Sequence, residues 1–117
     1  MEGLNPELMR GSLDLMVLSV LADGAKYGYL IQQRVRHSSQ ERVDLKAGTL
    51  YPILHRLERN KFVKAKWDES TGRRRKWYQL TAAGKKQLQV RVDEWRSYVD
   101  CLTRILGPVV NAQPQTA

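Results

Sequence analysis

Between Lys46 and Arg59 the chain carries Thr49, Tyr51, His55, Arg56 and Arg59, which bring hydroxyls, an imidazole, an aromatic ring and guanidinium groups together. Such groups hydrogen-bond to base edges and phosphates, so their chemistry is that of reading a polyanion rather than of making or breaking bonds. Further along, Arg73, Arg74, Arg75 and Lys76 are consecutive. Adjacent cations repel one another and make most sense against phosphates, with a merely solubilising wing as the alternative. Groups suited to catalysis are few. His37 and His55 are the only histidines, and neither has a nearby cysteine or spaced carboxylates to form a metal site or activate a nucleophile. Gly24 and Gly28 do not form a phosphate-binding loop signature. No catalytic residue, metal or cofactor is therefore expected, and an enzyme is the weakest reading.

The elements that would position these residues follow from periodicity. Leu50, Ile53, Leu54 and Leu57 recur at helical spacing, so a helix over the Lys46 to Arg59 stretch anchors one stripe inward and leaves the polar side free. Val63, Ala65 and Trp67 then alternate with Lys64 and Lys66, and Tyr78 and Leu80 with Trp77 and Gln79, which predicts two strands joined by a loop from Asp68 to Gly72. Val43 to Leu45 is expected as a third short strand beside this ribbon. Upstream, Asn5-Pro6-Glu7 has the chemistry of a helix start and Asp23-Gly24 that of a stop, which predicts one helix from about Pro6 to Ala22. Met9, Leu13, Met16, Val17, Val20 and Leu21 form its main stripe, while Leu8, Leu15 and Leu18 fall outside it and call for a second cover. Tyr27, Leu30, Ile31 and Val35 give a shorter supporting helix that ends before Ser38-Ser39.

Thr81 offers the cap of a last helix and Gly107-Pro108 its stop. Between them Leu88, Val92, Trp95, Val99, Leu102 and Leu106 are spaced 4, 3, 4, 3 and 4 residues apart. That is a heptad seam. Pairing with a second copy is the economical reading, and packing against the first helix the alternative. The expected fold is mainly α with a small β wing: a winged helix-turn-helix over residues 1–80, a long C-terminal dimerisation helix over 81–107, and a disordered tail over 108–117.

The distribution of charge agrees with this plan. The net charge is +8, made of −1 from Met1 to Leu45, +7 from Lys46 to Leu80 and +2 from the remainder. Concentration of the excess on a helix and a ribbon points to nucleic acid. Cys101 is the only cysteine, which excludes an intrachain disulfide and a thiolate zinc site, and a reducing cytoplasm is the simplest expected location. Neither a leader-like start nor a long apolar run is present, so no membrane association is expected.

Two segments, Gly48-Thr49-Leu50-Tyr51-Pro52-Ile53-Leu54-His55-Arg56-Leu57-Glu58 and Gly72-Arg73-Arg74-Arg75-Lys76-Trp77-Tyr78-Gln79-Leu80-Thr81, resemble the PadR family of transcriptional regulators in order and spacing. The resemblance runs from about Glu7 to about Leu106 and is to the compact type with one C-terminal helix. Gly28 in Tyr27-Gly28-Tyr29 matches the family's usual pattern, for which close backbone packing is the physical reason. Related sequences place Ser or Asn where Lys46 stands; lysine has no acceptor and forfeits about 1 kcal/mol of capping, unless Asp44 caps a longer helix. The family tolerates a proline at Pro52, which implies a bend rather than a break.

The resemblance implies a homodimeric DNA-binding regulator, most often a repressor, acting on a roughly palindromic double-stranded operator. Thr49, Tyr51, His55 and Arg56 are then expected closest to the bases, Arg56 as a bidentate guanine contact, with Lys46 near a phosphate. Arg73, Arg74 and Arg75 would hold the duplex in register. Some multidrug-sensing members carry a tryptophan at the place of Trp95, lining a pore between subunits. The resemblance thus also implies a small aromatic effector lodged among Leu15, Leu18, Ser19 and Trp95, against the plainer reading that Trp95 fills the dimer core. A winged-helix module that binds protein rather than DNA is the further alternative.

Overall fold

The structure is a computed structural model that describes residues 3–111. Its elements in chain order are α1 (Pro6–Met9), α2 (Leu13–Val20), β1 (Lys26–Tyr27), α3 (Gly28–Ser38), α4 (Ala47–Arg59), β2 (Val63–Asp68), β3 (Arg75–Leu80) and α5 (Ala82–Asn111). The predicted class is met: a winged helix-turn-helix followed by one long helix.

Four details differ from the sequence-based expectation. The first helix is two helices. Gly11 between them has φ +91°, a left-handed conformation open to glycine, and the Ser12 hydroxyl donates to the Met9 carbonyl at 2.9 Å, closing the turn. Within α2 the neighbours Val17 and Leu18 are both fully buried, so Leu18 does not lie on an outward stripe. The third strand is not Val43 to Leu45, whose outer two residues serve the core as coil. It is β1, paired antiparallel with β3 through Lys26 to Tyr78 and Tyr27 to Trp77, giving the order β1-β3-β2. Finally, α5 does not stop at Gly107-Pro108 but runs through both to Asn111. Proline there removes only the bond to the carbonyl four residues back, close to an end whose last carbonyls lack helical partners in any case. Residues 108–111 are therefore helix rather than tail, and 112–117 lie outside the described residues.

The core explains why α4 is held so firmly. Leu50, Ile53, Leu54 and Leu57 sit at or below 4 % exposure beside Leu18, Ile31, Val63 and Tyr78. Pro52 falls on the opposite side, and the helix is continuous across it. At its start Lys46 takes the N-cap position in an extended conformation with no side-chain cap, as its lack of an acceptor requires. Its ammonium instead bonds to the Asp44 carboxylate at 2.7 Å, an interaction that lowers the Asp44 pKa and leaves that carboxylate no part in capping the helix.

At the other end of the wing, Thr81 caps α5: its Oγ1 accepts from the Gly84 amide at 3.0 Å and donates to the Lys61 carbonyl at 2.6 Å. Gly84 presses so closely on the chain that a Cβ there would stand 1.9 Å from the Phe62 carbonyl oxygen. The long helix is thus bolted to the base of the wing, while α2 packs along its first half.

Candidate nucleic-acid interface

Rotation of about 100° per residue fixes what α4 shows to solvent. Opposite the leucine stripe lie Gly48, Pro52, His55 and Arg59, all exposed. Tyr51 flanks this face on one side, Thr49 and Arg56 on the other, and these three are exposed as well. The predicted reading face is therefore uncovered, although its members do not share one direction.

On the Tyr51 side, α4 and the wing form the two walls of an open cleft of about 680 Å³, lined by Tyr51 and His55 and by Trp67, Arg73, Arg74 and Lys76 among others. The floor is the start of α3. Tyr51 leans on it so closely that a Cβ on Gly28 would lie 2.2 Å from the tyrosine hydroxyl, which gives the glycine its packing reason. The strands pair in register from Val63 with Leu80 to Asp68 with Arg75. Arg74, Lys76 and Tyr78 consequently share one face of β3 and its approach, and Arg75 and Trp77 the other.

Three of the four consecutive wing cations are steadied by their surroundings. The Arg74 guanidinium lies 4.2 Å from the centre of the Trp67 ring and 3.7 Å from Glu69. Arg75 lies 4.4 Å over Tyr27, whose ring meets Trp77 edge-on at 5.0 Å. Lys76 reaches Glu58 of α4 at 3.5 Å, tying wing to helix. Arg73 is exposed. Asp68 closes the loop, accepting from the Ser70 amide at 2.8 Å, and that bond holds its carboxyl below the usual carboxylate range.

Arg56 has a partner that local sequence did not suggest. Its Nη2 donates to Asp14 of α2 rather than to Glu58. Sequence reasoning also missed Trp67 and the exposed Tyr29 as cleft residues. The alternation of β2 and β3 contains the signal for the first, since Trp67 stands opposite Lys76. No comparable signal marks Tyr29, which depends on where α3 meets the wing.

The seam residues divide. Leu88 packs against the core, Val92 and Val99 are half-buried, and Trp95, Leu102 and Leu106 are exposed at 49 %, 37 % and 42 %. Of the expected effector residues, Leu15, Ser19 and Trp95 line one open hollow of about 480 Å³ between α2, α3 and α5. Leu18, within the core, does not join them. Among the described residues no group of His, Cys, Asp or Glu could hold a metal ion, and no helix is long and apolar enough to cross a membrane.

Comparison with known proteins bears on the same surface. Residues 17–90 match the profile of the transcriptional regulator PadR-like family, a span that takes in α3, α4, the wing and the start of α5. The chain is similar to a transcriptional regulator of Mycobacterium tuberculosis, with 31 % identity over 86 % of this chain and 89 % of that protein. Among solved structures it is similar to a transcriptional regulator from Clostridium thermocellum, with a TM-score of 0.78, 33 % identity, and 84 % and 96 % of the two chains covered. A PadR family transcription regulator from Clostridium difficile gives a TM-score of 0.73 and 36 % identity over 82 % of this chain and 99 % of that one. On the matched helix, the matched wing and the shared architecture, the chain belongs to the PadR-like family of DNA-binding transcriptional regulators.

Proposed function

We propose that the protein is a homodimeric, sequence-specific repressor whose α4 enters the major groove of a roughly palindromic operator. The observation that carries this reading is the cleft in which Tyr51 and His55 of α4 face Arg73, Arg74 and Lys76 of the wing. A helix about 10–12 Å across fits a groove about 12 Å wide, and the wing then meets the phosphates beside it. Thr49, Tyr51 and His55 contact bases or the adjoining backbone, and Lys46 and Arg73 to Arg75 contact phosphates. Arg56 reads guanine by exchanging Asp14 for the base.

A salt titration of binding to a selected operator and to an unrelated duplex tests these roles. Arg74→Ala weakens both equally and lowers the slope of log affinity against log salt by about one. Arg56→Ala narrows the ratio between them about tenfold, the order expected of one lost bidentate pair. Unchanged slope and ratio in these variants would refute the assignment.

Dimerisation is supported by Trp95, Leu102 and Leu106, which stand exposed on a helix carrying a heptad repeat. A second reading, regulation by a planar apolar ligand, is favoured by the hollow that unites Leu15, Ser19 and Trp95. Stacking on the indole is the binding mode. In a variant carrying Trp67→Phe and Trp77→Phe, planar cationic dyes quench Trp95 emission; an unquenched signal would leave Trp95 as packing alone.

A further inference from the structure

A helix seated in a major groove has one phosphate strand along each of its sides, and the wing serves only one. The other side of α4 is bordered by a separate hollow of about 470 Å³, lined by Gly48, Thr49, Pro52 and Arg56 of α4, Arg10 and Asp14, and Arg91 of α5, among others. Arg56 and Arg91 thus meet there with one carboxylate, Asp14, which Arg56 already neutralises. Asp14 is the one acid among the lining residues, so the positive charge of Arg91 is left over, with the Thr49 hydroxyl on the wall.

We propose that this hollow grips the second backbone strand of the same duplex, with Arg91 as the principal phosphate contact and Thr49 beside it. The inference rests on the DNA-binding reading above and extends the interface to α5, the element otherwise concerned with pairing. Arg91 is suited to the task. Its Nη2 donates to the Gly11 carbonyl at 3.0 Å, which anchors the side chain across the α1–α2 turn while leaving the remaining N–H groups of the fork free of that bond. A preorganised guanidinium loses little freedom when it closes on a phosphate oxygen. The duplex is then held from both sides: wing cations along one edge of α4, α5 and the α1–α2 turn along the other.

The test compares Arg91→Gln, Arg91→Lys and the wing variant Arg74→Ala in the full-length protein, with operator affinity measured across a range of salt. Arg91→Gln is expected to lower the slope of log affinity against log salt by about one and to weaken operator and unrelated duplex by the same factor. Arg91→Lys, which keeps the charge and loses the fork, keeps the slope. Ethylation interference on the operator should mark phosphates on both strands bordering α4, with the far-strand signal lost in Arg91→Gln.

An unchanged slope in Arg91→Gln overturns the proposal. So does an equal loss of affinity in the Gln and Lys variants at unchanged slope, which would reduce Arg91 to a brace for the Gly11 carbonyl. If Arg74→Ala flattens the dependence and Arg91→Gln does not, the far-edge grip fails while the DNA-binding reading stands. If the unmodified protein binds no duplex in a salt-dependent way, both fail together.

Discussion

Arg56 illustrates how a residue can be braced and still available. Its ion pair with Asp14 is part-exposed on both sides, at 44 % and 22 %, and such pairs are worth about 0–1 kcal/mol once screening is counted. A bidentate guanine contact is worth about 1–3 kcal/mol. If Arg56 makes the proposed guanine contact, exchange would therefore be downhill on a matching base, and on a mismatched one the arginine would keep its partner. Asp23 presents the opposite case, a carboxylate committed to the fold. Hydrogen bonds from Lys26 and Arg34 lower its pKa to about 2 from 3.8. Because the folded value is depressed, the stabilisation is fully present above the ordinary value and is lost as pH falls toward about 2. Melting temperature should accordingly fall more steeply between about pH 4 and pH 2 in the wild type than in Asp23→Asn. Parallel curves for the two proteins would show that these bonds contribute nothing to the native state.

At the scale of elements, the junction of β2, β3 and α5 sets the position of the wing. Gly84→Ala places a methyl against the Phe62 backbone carbonyl, which cannot swing aside as a side chain would. A loss of about 2–3 kcal/mol in urea unfolding is expected, the upper part of the range for overpacking; an unchanged midpoint would mean that the joint is looser than described. What was legible in the sequence was whatever depended on near neighbours. The stripe of Leu50, Ile53, Leu54 and Leu57, the alternation of the ribbon and the Thr81 cap are all local patterns, and each stands in the structure. The break at Gly11 was hidden because a single glycine inside an apolar repeat costs only about 1 kcal/mol and reads as tolerated. The two-residue strand β1 has no period of its own and exists through its pairing with Tyr78 and Trp77. For the site, exposure of Thr49, Tyr51, His55 and Arg56 followed from the helical stripe. The Arg56 bond to Asp14, 42 residues away, depended on how α2 crosses α4, as did the cleft shared by Tyr29 and the wing.

For the molecule as a whole, shape and surface both point outward along α5. The radius of gyration is 17.1 Å, against about 13 Å expected of a compact chain of this length. The excess comes with a 30-residue helix that shows Trp95 near its middle and Leu102, Ile105, Leu106 and Val109 on its far half to solvent. A two-fold pairing along this helix would cover apolar surface that one chain leaves wet and would present two copies of α4 and its wing to one duplex. The spacing of those copies is the claim on which the functional account turns. Hydroxyl-radical footprinting on an operator selected from random duplexes measures it. Two protected segments related by a dyad, their centres about 34–36 Å or a multiple of that apart, are predicted. One protected patch without symmetry, or protection that persists undiminished at high salt, would contradict it.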